Sequence, residues 1–361
     1  MTNDQNFTIT KDYYDSLAEE INNYFPQGYQ VALIKDQNSH RKPLSEQNYN
    51  YLMGLVNVDK DDHILDIGCG NGQFFDYLQS HEDYRYLFYN GVDLSEKQIN
   101  NAMEKFENSE GKFLCNPIEK VMFLTPTFNL CFFLESIGYM KDLDMIAKTM
   151  SHFLHLGGHV IIKNPIKVVE DVEADKEYCE KFKSISEEYG FSENSLGMIV
   201  DKKILEETFE KNGFQLTRFE IPEYDIEEYN KTFSKMESFS NKHPQYINHV
   251  FQKNGGRIEN NSSKNKYYEC GVFVFKKIEN VIEHFSELPQ INVSYTAGVE
   301  QSQIDPSHPN APYMQSRSKI QYSKDTVNQE EGIQTTSITS KDVANTEDEM
   351  VIKLDITYEN N

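Results

Sequence analysis

The sequence predicts an α/β protein built on a mostly parallel sheet, and three observations lead there. Short apolar runs alternate with segments of helical period through residues 60–278, the pattern of repeated βαβ units. The first run, Ile64-Leu65-Asp66-Ile67, enters a turn carrying Gly68, Gly70 and Gly72. The second run ends on an acid, in Gly91-Val92-Asp93-Leu94-Ser95, at about the distance a nucleotide-binding βαβ unit requires.

The elements follow in order. Residues 11–24 place Tyr13, Leu17, Ile21 and Tyr24 at helical spacing, and residues 45–56 put Tyr49, Leu52, Met53 and Val56 on one face. Together they predict a helical N-terminal cap over residues 1–57. Strand one is expected at 63–67, followed by a helix at 72–80. Strand two is expected at 86–92, and a helix at 95–107 with Ser95 as its N-cap. Strand three spans 112–115. Strand four, 128–134, is apolar throughout, as a strand covered on both faces must be. A helix at 141–153 ends before Gly157-Gly158, and strand five is expected at 159–163. Residues 165–200 have charged helical character without a strand signal and read as an inserted lid. A helix at 201–212 stops at Gly213, a C-cap signal. Strand six at 214–221, a second insertion at 223–266 and strand seven at 269–277 complete a domain over 58–289.

Residues 290–361 are rich in Ser, Thr, Asn, Gln and Pro, and cannot bury enough apolar surface to offset ordering entropy. They read as a flexible polar tail. Its end alternates, with Met350, Ile352, Leu354, Ile356 and Tyr358 on one face, which suits a strand at 350–358. That strand either docks on this protein's own surface or adds to the sheet edge of a partner or of a second copy in a homodimer.

Composition excludes several classes. The formal net charge of −23, without any Lys/Arg stripe, argues against a nucleic-acid substrate. No apolar run is long enough to span a bilayer, and the first residues lack a basic-then-apolar leader. A cytoplasmic protein is expected. Cys69, Cys115, Cys131, Cys179 and Cys270 have no CxxC spacing and read as small residues in a reducing compartment. No His, Cys and carboxylate cluster has metal-ligand spacing, so no metal is assigned.

The glycine turn carries the chemistry. Glycines let backbone approach a ligand where a Cβ would clash, and an acid at the next strand tip can accept from a ribose diol. A dinucleotide fingerprint needs Gly-x-Gly-x-x-Gly, whereas here the spacing is Gly68-x-Gly70-x-Gly72. Asp66, just ahead of it, would repel a pyrophosphate and suit an ammonium. No Gly-Lys-Ser/Thr follows, which excludes a triphosphate loop.

On these residues the chain resembles the class I S-adenosylmethionine-dependent methyltransferases, whose first motif reads apolar-Asp-apolar-Gly-x-Gly-x-Gly. Leu65-Asp66-Ile67-Gly68-Cys69-Gly70-Asn71-Gly72 matches it in full. The resemblance implies a Rossmann-like, seven-stranded mostly parallel sheet with S-adenosylmethionine as cofactor and S-adenosylhomocysteine as product. It implies that Asp66, Gly68, Gly70 and Gly72 hold the methionine part and that Asp93 holds the ribose. Asn116 would then meet the adenine edge, with Ile118 and Leu94 flanking the ring. The segment Phe133-Leu134-Glu135-Ser136 resembles the branch of cyclopropane synthases and of sterol and isoprenyl-diphosphate C-methyltransferases, which keep a Glu-Ser pair there. This implies a catalytic role for Glu135, with Tyr139 as a phenolic base or cation-π wall, and aromatic pocket residues in Tyr13 and Tyr14.

The expected function is methyl transfer to a small molecule: first a carbon of an isoprenoid or lipid-like acceptor, then an amine or hydroxyl of a secondary metabolite. Two rivals remain at this point. One is a peptide or protein methyltransferase that docks through the tail. The other is a cofactor-binding partner subunit without turnover.

Overall fold

The computed structural model describes residues 11–12, 14–16, 18–19, 30, 32–121, 126–140, 142–167, 195–196, 199–242, 268–280, 296–297 and 350–351. The chain divides into two compact units, Met1–Ile282 and Glu283–Asn361.

In the first unit, residues 11–19 are helical where described, and α1 is Leu44–Met53. The sheet then begins with β1 (His63–Ile67), α2 (Gln73–Ser80) and β2 (Phe88–Asp93). Next come α3 (Glu96–Lys105), β3 (Lys112–Cys115) and β4 (Phe128–Leu134). A single 3-10 turn, Ile137–Tyr139, follows β4. After it lie α4 (Leu143–Phe153) and β5 (Leu154–Lys167). Two short strands, β6 (Ser195–Leu196) and β7 (Ile199–Val200), precede α5 (Lys202–Lys211). The unit closes with β8 (Phe214–Glu220), α6 (Ile226–Lys242) and β9 (Tyr268–Lys277).

β1 lies between β2 and β4, with β3 outside β2 and β5 outside β4, all parallel. β9 runs antiparallel along β5, and β8 antiparallel along β9. The strand order therefore reverses between β1 and β4, the place where open α/β sheets bind ligands at the carboxyl ends of strands. The seven strands expected are present in a mostly parallel sheet, which two further short strands, β6 and β7, extend to nine. Alternate residues of each strand serve opposite faces. Leu65, Ile67, Val92, Phe133 and Ile162 pack with Ile146, Ala147 and Met150 of α4 and Leu205 and Phe209 of α5. Ile64, Tyr89, Phe132 and Ile161 pack with Tyr49 and Leu52 of α1 and Phe74 and Leu78 of α2.

The helices start where capping chemistry allows. The Ser95 hydroxyl accepts from the Gln98 amide at 3.2 Å, Asp142 from Met145 at 2.9 Å, and Asp201 from Lys203 at 2.9 Å. The C-terminal carbonyls of α4 are met by a buried cation: Lys277 Nζ donates to Leu154 O at 2.9 Å and also to Ser151 O.

Two expectations need correction. β5 starts at Leu154, directly after α4, because Gly157 at φ 87° lets the chain continue as a bulged strand. The insertion expected to lack strands contains the β6–β7 pair, and β7 meets β5 at Ile166↔Val200, beyond the last β4–β5 pair, Leu134↔Lys163. The helical character expected over most of the insertion falls on residues outside those described.

In the second unit the described residues are Thr296–Ala297 and Met350–Val351, paired antiparallel. The strand expected at 350–358 is seen at its first two residues, and its remainder, like the rest of the polar tail, lies outside the described residues.

Candidate active site

At the tip of β1 the backbone turns through left-handed conformations at Gly68 (φ 80°) and Gly70 (φ 53°). At Gly68 the turn leaves no room for a side chain, since a Cβ there would stand 2.4 Å from the Ser136 Cβ. At Gly70 the reverse holds: a Cβ would meet nothing within 4 Å, so this backbone faces open space. The turn is held from the next strand. Gly68 N–H donates to Val92 O at 2.7 Å, and Gly70 N–H donates to Asp93 Oδ2 at 2.8 Å. The other Asp93 oxygen accepts from the Ser95 amide at 2.8 Å. Each carboxylate oxygen retains a lone pair for a ligand. Loss of water around Asp93 raises its carboxyl above the ordinary range, against the Ser95, Gly70 and Leu94 amides that lower it.

Asp66 is 2 % exposed. Tyr89 OH donates to its Oδ2 at 2.6 Å, whereas Oδ1 is buried with no hydrogen-bond partner. Burial pushes this carboxyl up to about 7, with the Tyr89 hydroxyl opposing and the Asp93 charge adding to the rise. An unpartnered buried acceptor beside an open glycine turn calls for a donor from outside the chain. These residues therefore fit an ammonium-bearing, ribose-bearing cofactor: backbone space at Gly70, an acceptor at Asp66 and a second carboxylate at Asp93.

Of the remaining donor-side expectations, Leu94 and Asn116 are half-buried beside Asp93, and the Asn116 amide donates to Asp93 O at 3.0 Å. Ile118 is 2 % exposed and packs with Leu65, Val92 and Phe133, so in this structure it is a core residue.

The carboxyl end of β4 carries the acceptor-side candidates. The Ser136 hydroxyl donates to Ile67 O, tying this segment to the glycine turn. Tyr139 is half-buried, and its hydroxyl accepts from Tyr14 OH at 2.7 Å, the rings meeting edge to face. Tyr13 lies outside the described residues. Next to Tyr14, Asp15 accepts from Ser95 Oγ at 2.6 Å and from the Lys97 amide at 3.1 Å, which seats the N-terminal helical residues on the start of α3.

Glu135 is 5 % exposed and has φ 61°, the sole non-glycine described residue in the left-handed region. Its Oε1 lies 2.9 Å from Lys163 Nζ and accepts from the Ala32 amide at 3.2 Å. Lys163, fully buried on β5, also donates to Gln30 Oε1 at 2.6 Å. Gln30 in turn donates to Tyr49 OH at 3.1 Å and accepts from Asn48 at 3.2 Å. Sequence reasoning found Glu135 and missed Lys163, Gln30, Ala32, Tyr89 and Asp15. The signal for Lys163 was present, as a cation closing the apolar run Val160-Ile161-Ile162.

Among the described residues no group of three or more His, Cys, Asp and Glu could hold a metal ion, and no helix is long and apolar enough to cross a membrane. Cys69, Cys131 and Cys270 are buried and Cys115 is half-buried, all four as free thiols; Cys179 lies outside the described residues.

A sequence profile described as a methyltransferase domain matches residues 58–213. The sterol 4-C-methyltransferase of Caenorhabditis elegans is 23% identical over 225 residues, 57% of this chain and 65% of that protein. The 27-O-demethylrifamycin SV methyltransferase of Amycolatopsis mediterranei is 23% identical over 177 residues, 45% of this chain and 61% of that protein. The chain thus spans somewhat under two thirds of these two relatives. Among solved structures, a mycolic acid cyclopropane synthase complexed with S-adenosylhomocysteine superposes with TM-score 0.56 at 17% identity, covering 75% of this chain and 98% of that one. The geranyl diphosphate C-methyltransferase of Streptomyces coelicolor superposes with TM-score 0.52 at 12% identity, covering 75% and 98%.

Proposed function

We propose that this chain, whose residues 58–213 form a methyltransferase domain of the class I, S-adenosylmethionine-dependent kind, transfers a methyl group to a small-molecule acceptor. The observation that carries the donor half is the buried, unpartnered Oδ1 of Asp66 beside the open backbone at Gly70. The residues named above would hold S-adenosylmethionine, which supplies an activated methyl group on a sulfonium when bound.

Our first acceptor is a carbon of an isoprenoid or lipid-like molecule, and the likeness to a sterol C-methyltransferase supports it. An amine or hydroxyl of a secondary metabolite is the alternative, supported by the rifamycin O-methyltransferase relative. In such a reaction a bond forms between the methyl carbon and the acceptor, the carbon–sulfur bond breaks with its electron pair going to sulfur, and the acceptor's proton leaves. This chain's part is to align the partners, exclude water and take that proton. Tyr139, hydrogen-bonded to Tyr14 after the end of β4, is the group we assign to the proton, and the rings of both shield the site from water. The acidic chain favours an apolar or cationic acceptor over a polyanion. A cytoplasmic location is proposed with it.

The test is calorimetric binding of S-adenosylhomocysteine to the wild type, followed by a screen of lipid and secondary-metabolite acceptors with methyl-labelled donor. Micromolar binding and label transfer to one acceptor class are expected. Absence of binding by the wild type would remove the reading.

A further inference from the structure

The donor turn and the acceptor-side tyrosine are joined through one residue in a costly conformation. Glu135, at φ 61°, sits between β4 and the 3-10 turn. On leaving it the chain runs to Ser136, whose Cβ abuts Gly68 and whose hydroxyl donates to Ile67 O. Three residues later it presents Tyr139 to Tyr14. A residue with a Cβ does not hold a left-handed conformation without support from its surroundings. Here Lys163 supplies that support twice. Its carbonyl accepts from the Glu135 amide at 2.6 Å. Its ammonium lies 2.9 Å from Oε1, and side-chain exposures of 0% and 3% leave the pair no water to compete with it. The Ala32 amide at 3.2 Å completes the clamp on the same oxygen.

We propose that Lys163 is a positioning residue: by holding the Glu135 side chain it keeps residue 135 left-handed, and so sets Ser136 against the donor turn and Tyr139 in the acceptor site together. The clamp on the turn stands on geometry alone, and its consequence for methyl transfer rests on the function proposed above. Glu135 then acts through the backbone it holds. A carboxylate that took part in the reaction could not be replaced by glycine, whereas one that holds a left-handed turn can.

Two double variants separate these cases, because both remove the ion pair whole and differ only in a Cβ at position 135. Glu135→Gly/Lys163→Met gives the left-handed position to the residue that adopts it freely. Glu135→Ala/Lys163→Met leaves a Cβ there with the backbone bond to residue 163 but no side-chain tether. The readout is hydrogen exchange of the Tyr139 and Met140 amides, which donate within the turn at 3.1 Å and 3.0 Å. The glycine variant is expected to match the wild type, and the alanine variant to exchange about tenfold faster. S-Adenosylhomocysteine affinity should fall in the same order. Failure of the alanine variant alone to fold counts the same way. Equal exchange in the two variants, or failure of both to fold, overturns the proposal, since the pair would then serve packing and not the turn. Absence of ligand binding by the wild type removes the methyltransferase reading and leaves the exchange comparison decisive for the clamp.

Discussion

The carboxylate of Asp93, at the tip of β2, accepts from the backbone amide of Gly70, at the tip of β1, at 2.8 Å. One side chain therefore shapes the turn and, on the function proposed above, would also accept from the ribose of the donor. Asp93→Ala removes both, and S-adenosylhomocysteine affinity should fall by about tenfold or more. Asp93→Asn keeps an acceptor for the Gly70 amide and should lose less. Calorimetry on the two variants checks the order, and equal losses would separate the turn from the ligand contact.

Asp66 makes stability and ligand binding depend on pH. Its carboxyl is raised from the usual 3.8 to about 7 in the folded protein. Between those values the folded state holds a proton that the unfolded state has lost. Stability therefore falls as pH rises through this window, by on the order of 4 kcal/mol once the group is ionised. Urea unfolding from about pH 4 to about pH 8 should show the decline, and Asp66→Asn should flatten it. A bound ammonium favours the ionised carboxyl, so binding at about pH 6 should release a proton, seen as heats that vary with the buffer's ionisation enthalpy.

Gly68→Ala meets two obstacles: φ is 80°, and the new Cβ would lie 2.4 Å from the Ser136 Cβ. A loss of about 3 kcal/mol is expected from the backbone and the clash together. Gly157→Ala is the control, since φ is 87° but nothing stands within 4 Å; there the loss should be about 1 kcal/mol, from the backbone alone. Chemical unfolding of the two variants measures the difference. Similar losses would show that the β4 segment yields at Ser136.

These cases also show why some of the site was legible in the sequence. Gly68, Gly70 and Asp93 answer to local backbone geometry, so their types and spacing carry the information by themselves. The Glu135–Lys163 pair depends on register. It exists because Leu134 and Lys163 are neighbours across β4 and β5, a relation that no local pattern encodes. Gln30 and Ala32 reach the same carboxylate and ammonium from the cap through one side chain and one amide, and an amide leaves no mark in a sequence. The early start of β5 was hidden for the opposite reason: Gly157-Gly158 reads as a stop, whereas the bulged ladder uses it to continue.

The tyrosine pair gives the sharpest division between donor and acceptor. The Tyr14 and Tyr139 hydroxyls are hydrogen-bonded at 2.7 Å, and an ionised Tyr139 oxygen would accept from Tyr14. If Tyr139 takes the acceptor's proton, Tyr139→Phe should lower kcat by about a hundredfold or more while leaving S-adenosylhomocysteine affinity within about twofold. Tyr14→Phe removes only the donor to that oxygen and should cost about tenfold in kcat, with the pH–rate profile shifted toward higher pH because an ionised Tyr139 loses its hydrogen bond. Stopped turnover measurements across pH on both variants, with donor saturating, decide the assignment. An unchanged kcat in Tyr139→Phe would move the proton to another group, and a parallel loss of donor affinity would show that the pair only braces the N-terminal helical residues.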